Sequence, residues 1–182
     1  MKNLETKRYL LREPKTEDAK EIYERWGTDK EKMAEYKEHN TYKNLIEIKA
    51  LITAAIKDAE YGTPFWIIEE KKSNKIAGYV KLPISSEKDK KCEVTFYFLE
   101  GWRDDGIPEE VLGKIIDYIF SEEKFETIIM KFYGRTKKDI EILDRVLTTI
   151  GMKREGILRN RLINSEGKKI DKYVYSILKE EY

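Results

Sequence analysis

Between Glu93 and Leu112 the apolar positions change their period, from strict alternation to helical spacing. Val94, Phe96 and Phe98 alternate with Thr95 and Tyr97, which predicts a strand with one more apolar face. Val111, Leu112, Ile115, Ile116 and Ile119 then recur at helical spacing, while Glu109, Glu110, Lys114 and Asp117 fall on other sides. The segment Arg103-Asp104-Asp105-Gly106-Ile107-Pro108 joins the two as a turn. Pro108 suits the first turn of a helix, where its missing N–H would have no intrahelical partner anyway. A strand that feeds a helix through a glycine turn is a ready anion site. The first helical turn has free backbone N–H groups and the positive end of the dipole.

The same patterning divides the rest of the chain. Leu4 to Glu13 reads as one strand stopped by Pro14, and Thr16-Glu17-Asp18 opens a helix with Ala19, Ile22, Tyr23 and Trp26 on one face. A short helix is expected around Lys30–Tyr36, then a loop over Glu38–Lys43. Asn44 or a near neighbour starts a longer helix that buries Leu45, Ile48, Leu51, Ile52, Ala55 and Ile56. Pro64–Glu70 and Lys75–Leu82 form a hairpin that turns at Ser73-Asn74. Thr127–Tyr133 reads as a buried strand, and Lys137–Ile150 as a helix stopped by Gly151. Arg154–Ile163 and Lys168–Leu178 make a final hairpin. These elements imply an α/β (mixed α+β) fold of about seven strands, mostly antiparallel, with helices on both faces.

Composition narrows the class. A chain of 182 residues is expected to be one domain, residues 1–182. Lys and Arg (36) nearly balance Asp and Glu (35), which gives no support to non-specific nucleic-acid binding by the whole chain. One cysteine, Cys92, allows no intrachain disulfide and suits a reducing cytoplasm; with His39 alone beside it, no common zinc site can form. The charged start lacks the apolar run of a signal peptide, and no stretch is apolar enough to span a membrane.

Several strings resemble the GNAT superfamily of acyl-CoA N-acyltransferases, and within it the ribosomal-protein N-terminal acetyltransferases of the RimJ/RimL type. Leu4-Glu5-Thr6-Lys7-Arg8-Tyr9-Leu10-Leu11-Arg12 resembles that branch's Thr-x-Arg-Leu-x-Leu-Arg opening, and Trp26-Gly27-Thr28-Asp29 its helix-one Trp with the following Asp. Glu93-Val94-Thr95-Phe96-Tyr97 stands where the branch has Glu-Ile-Gly-Tyr-Trp and runs into a loop similar to Arg/Gln-x-x-Gly-x-Gly/Ala. Ile150-Gly151-Met152-Lys153-Arg154-Glu155-Gly156 is similar to Leu-Gly-Phe-x-x-Glu-Gly, and the end from Leu158 through Asp171-Lys172-Tyr173-Val174-Tyr175-Ser176 also fits.

The resemblance implies the GNAT fold, acetyl-CoA as cosubstrate and a primary amine as acceptor: a protein N-terminus, a polyamine or another small amine. It assigns cofactor contacts to Phe98, Leu99, Arg103, Asp104, Asp105, Gly106, Ile107, Pro108 and Glu109. Arg135 and Lys138, with Lys137, stand near where the family places the adenosine 3′-phosphate. Glu93 is the candidate general base or base-bridging carboxylate. The implied setting is cytoplasmic, with no membrane partner, nucleic acid only through a ribosome-associated substrate, and a monomer or weak homodimer.

The chain also departs from the family. Asp104 and Asp105 stand where Gly and Lys are usual, and Pro108 deletes one N–H donor. Residues 100–110 carry Glu100, Asp104, Asp105, Glu109 and Glu110 against Arg103 alone, a net charge of −4. The helix positions that are Asn, Ser and Tyr in many relatives fall at Ile140, Leu143 and Leu147. Each candidate has a plainer reading: Gly106 as an ordinary turn, Glu93 as a solvated strand residue, Arg135, Lys137 and Lys138 as a solvated helix start. A catalytically degenerate GNAT-fold binding or regulatory protein is accordingly the alternative to the enzyme.

Overall fold

The computed structural model describes residues 2–27, 44–83, 86–98, 105–122, 125–164 and 167–182. The expected helix at Lys30–Tyr36 and the loop carrying His39 lie outside the described residues. The chain forms two compact units, Met1–Lys81 and Leu82–Tyr182.

In the first unit the expected single strand from Leu4 to Glu13 is two strands, β1 (Leu4–Glu5) and β2 (Tyr9–Arg12), paired antiparallel with Leu4 opposite Leu11. Thr6 makes the turn. Its backbone N–H donates to the Tyr9 carbonyl at 2.9 Å, and the Tyr9 N–H donates to the Thr6 hydroxyl at 2.9 Å. A threonine that offers its own side chain to the backbone interrupts a strand without disturbing the apolar pattern. The helix α1 (Asp18–Ile22) passes into a π-helical turn, Tyr23–Gly27.

The longer helix α2 (Leu45–Glu60) starts as expected at Asn44, whose side-chain oxygen accepts from the Glu47 N–H at 3.1 Å. Ile48, Ile52 and Ala55 are buried, but Leu51 is exposed, contrary to the helical-face expectation. The strands β3 (Phe65–Glu70) and β4 (Ile76–Lys81) extend the antiparallel sheet beyond β2. Trp66, Tyr9, Leu11, Ile67 and Ile68 fill its core.

One charged cluster is built into this unit. The Arg12 guanidinium grips Asp18 with two bonds, of 2.9 and 2.7 Å, and its Nε meets Glu69 at 2.5 Å. Burial opposes the charge on Arg12, yet the bonds to Asp18 and Glu69 outweigh it and hold the group above its ordinary pKa. The cluster ties β2, α1 and β3 together.

The second unit alternates strand and helix before a closing hairpin: β5 (Lys91–Phe98), α3 (Ile107–Glu122), β6 (Thr127–Tyr133), α4 (Lys137–Thr149), β7 (Lys153–Ile163) and β8 (Lys169–Leu178). Here β5 and β6 are parallel, β6 and β8 antiparallel, and β7 lies antiparallel outside β8. Val111, Leu112, Ile115, Ile116 and Ile119 of α3 are fully buried, the face that the sequence spacing predicted. The helix α4 is capped by Thr136, whose hydroxyl accepts from the Asp139 N–H at 3.0 Å. The last hairpin carries a second irregularity. Between Leu158 and Leu162 the register slips, Asn160 takes φ 56°, and its N–H donates to Asp171 at 2.8 Å. The eight strands among the described residues exceed the expected seven because the first one folds on itself.

Candidate functional site

The parallel pair in the second unit does not stay paired. Lys91 to Val94 of β5 align with Thr127 to Met130 of β6, and the pairing then stops. β5 continues to Phe98 and β6 to Tyr133. The closed end is fastened by the Lys90 carbonyl, which accepts from the Glu126 N–H at 2.6 Å and the Thr127 N–H at 3.1 Å. At the open end β6 follows β8, to which it is paired from Thr127–Leu178 through Tyr133–Lys172. Phe132 stacks on Tyr173 with ring centroids 5.1 Å apart and planes 5° apart, which stiffens this departure. The two strands thus part into a V-shaped opening. The β5 edge beyond the β6 pairing, Thr95 to Phe98, is about 13 Å long at strand rise. That edge offers backbone N–H and C=O groups that β6 does not use, which an extended amide-bearing chain can pair with.

Parallel strands that each lead into a helix put both helix N-termini at one end of the sheet, here the open end of the fork. The start of α3 follows β5 and the start of α4 follows β6. Both carry the positive end of a dipole, and each first turn stabilises a negative charge by roughly 0.3–1 kcal/mol. Gly106, the residue before α3, takes φ +69°, a conformation that side chains with a Cβ rarely adopt. Its carbonyl accepts from the Glu110 N–H at 3.3 Å and so begins the helical ladder. Ile107 and Pro108 are buried in the first turn, so Pro108 both starts the helix and packs beneath it. Asp105 is exposed. Glu109 has one carboxylate oxygen buried without a hydrogen-bond partner among the described residues. Leu99, Arg103 and Asp104 lie outside the described residues.

At the vertex stands an ion pair that the sequence pattern does not reveal. Lys131 Nζ donates to Glu93 Oε2 at 2.5 Å, with the two side chains 28% and 31% exposed. Glu93 aligns with Ile129, so Lys131 lies two residues further along β6, just past the last paired position. The pair is set by the β5–β6 register, which a single sequence does not supply. Glu93, Thr95 and Tyr97 share one face of β5; Cys92, Val94, Phe96 and Phe98 share the other. Phe98 and Tyr97 are both buried.

Arg135 and Lys138 flank the Thr136 cap, beyond β6 and at the start of α4. Gly134 holds this corner: its N–H donates to the Asp171 carbonyl at 3.0 Å. Leu147 is fully buried in α4 and offers no proton donor. Tyr175 donates its hydroxyl to Asp144 of α4; burial first, and this bond second, push its pKa well up and keep it a neutral tether between helix and sheet. Among the described residues, no group of three or more His, Cys, Asp or Glu could hold a metal, and no helix is long and apolar enough to cross a membrane.

Comparison with known proteins bears on this geometry. The profile of the acetyltransferase (GNAT) domain family matches residues 8–153. An uncharacterised N-acetyltransferase, p20, from Bacillus licheniformis is 25% identical over 185 residues, covering 100% of this chain and 99% of its own. The crystal structure of a ribosomal-protein-S5-alanine acetyltransferase from Vibrio fischeri superimposes with a TM-score of 0.81 at 18% identity, over 100% of this chain and 99% of that one. A ribosomal L7/L12 α-N-protein acetyltransferase, RimL, in complex with coenzyme A gives a TM-score of 0.80 at 12% identity, over 97% and 98%.

Proposed function

This chain belongs to the acetyltransferase (GNAT) domain family and has its mixed α/β, mostly antiparallel fold, and on that premise we propose that it transfers an acetyl group from acetyl-CoA to a primary amine. Acetyl-CoA is the acyl donor of the family, and what supports its use here is one observation above the others. The strands β5 and β6 part after Val94 and Met130, beside a helix whose first turn is preceded by Gly106 at φ +69°.

In this reading acetyl-CoA supplies an activated thioester. The residues from Arg103 to Glu109, led by the N–H groups of Gly106, Ile107 and Glu109, hold its pyrophosphate. Phe98 and Leu99 offer backbone groups to the pantetheine arm. Arg135 and Lys138 hold the remaining phosphate, and they offset part of the acidity of the α3 start.

The acceptor is a primary amine, and a protein N-terminus is the class that the RimJ/RimL-like strings favour. An ammonium must lose a proton before it can attack, and Glu93 at the vertex is a carboxylate placed to take it. Leu147 is core, so the departing thiolate takes its proton from solvent or from another group. The direct test supplies acetyl-CoA with peptides bearing free N-termini, polyamines and small amines, and follows release of the free thiol. Turnover with at least one amine, and loss of turnover in Glu93→Gln, is the expected result. No turnover with any amine by a protein that binds CoA would leave a binding protein in place of the enzyme.

A further inference from the structure

We propose that Lys131 is an internal acetyl acceptor, a self-acetylation site whose modification releases Glu93. The inference rests on the reading of the fork as the acetyl-CoA site. Of the lysines in β5 and β6, Lys91 stands at the closed end and Lys131 immediately past the last paired residue, Met130. A chain held along β5 beyond its pairing with β6, with its phosphates at the α3 start, brings its acyl end to this vertex. Lys131 is there already, half-buried, with its Nζ against the Glu93 carboxylate at 2.5 Å. An amine, a carboxylate that can accept its proton and the vertex to which the acyl end comes are therefore together in one chain. Such proximity replaces the encounter that a free acceptor must make.

The step balances without any redox partner. The Lys131 ammonium gives one proton to Glu93, which passes it to water. The amine nitrogen forms a bond to the acetyl carbonyl carbon and the carbon–sulfur bond breaks. The second nitrogen proton leaves to solvent, and the thiolate takes one to become the CoA thiol.

The consequence is regulatory. Acetyl-lysine carries no charge, so the ion pair with Glu93 is lost. Before modification the Lys131 ammonium competes with any acceptor ammonium for the same carboxylate; afterwards Glu93 is open to the acceptor.

The test uses the whole protein, isotopically labelled acetyl-CoA and peptide mapping by mass spectrometry. Lys137, whose side chain is 92% exposed, reports the rate of ordinary chemical acylation. The expected result is labelling of Lys131 at least about tenfold faster than Lys137 in the folded protein, with the difference lost in urea. Lys131→Arg keeps the ion pair and should abolish label at that site. Glu93→Gln, with folding checked by circular dichroism, should slow labelling about tenfold or more. CoA calorimetry on the same sample separates the two claims. If CoA binds while Lys131 is labelled no faster than Lys137, this inference is overturned and the acetyl-CoA reading stands. If CoA does not bind and Lys131 is not labelled, both are overturned.

Discussion

Gly134 lies at the corner where β6 leaves the fork for α4, and its replacement by alanine should be felt out of proportion to one methyl group. A Cβ built there would stand 2.6 Å from Tyr173 Cε2, 2.7 Å from Ile140 Cγ1 and 2.9 Å from Ile140 Cδ1. None of these can retreat freely. The Tyr173 ring is stacked flat on Phe132 at 5.1 Å, and Ile140 sits in the first turn of α4 just after its Thr136 cap. Overpacking of this kind costs about 1–3 kcal/mol. For a chain of this size that is a fall in Tm of roughly 2–12 °C.

Urea unfolding should show a lower midpoint with an unchanged slope. Ile140→Ala removes two of the three clashing atoms, so combining it with Gly134→Ala should give less destabilisation than the two single changes added, by about 0.5–2 kcal/mol. A Gly134→Ala protein as stable as the parent, or strict additivity in the cycle, would refute the account of a close-packed corner.

Three further outcomes are expected. Arg12→Met leaves Asp18 and Glu69 together without their cation and should destabilise the protein by about 3–5 kcal/mol, whereas Asp18→Asn leaves Arg12 paired with Glu69 and should cost less than half as much in the same urea experiment. If the proposed phosphate site is right, replacing Asp104 by Gly and Asp105 by Lys removes two like charges from it and adds one cation; at roughly 0.5–1 kcal/mol each, CoA should bind about tenfold tighter or more by calorimetry. Burial, and then its bond to Asp117, raise the Tyr182 hydroxyl to about 12; because this folded pKa is above the ordinary 10.0, the docking of Tyr182 is fully present below pH 10.0 and is lost as pH rises through about 12. Tyrosinate absorbance should show a late-titrating group that Tyr182→Phe removes.

Much of the fork is legible in the amino-acid pattern, because its strands and helices have strong periods. Thr127–Tyr133 is β6 to the residue, and α3 begins beside Pro108 as the proline implied. Asn44 and Gly151 mark helix ends by their own chemistry. Features set by long-range register are not legible. The Glu93–Lys131 pair joins residues 38 apart, and the Arg12–Glu69 contact joins residues 57 apart. Local side-chain chemistry hides two more. Thr6 folds the first strand into a hairpin, and Asn160 with Asp171 interrupts the last one, although the apolar pattern runs through both. Leu51 has helical spacing but falls at the rim of the buried face, where periodicity alone does not separate inside from outside.

The most direct test of the central claim is a calorimetric titration of CoA into the protein and into Gly106→Val. A valine at φ +69° is strained by roughly 1–2 kcal/mol or more, at the residue that precedes α3 and the proposed phosphate site. The account predicts saturable CoA binding by the parent and at least a tenfold loss in the variant, with both proteins folded. Equal binding by the two, or none by the parent, would contradict it.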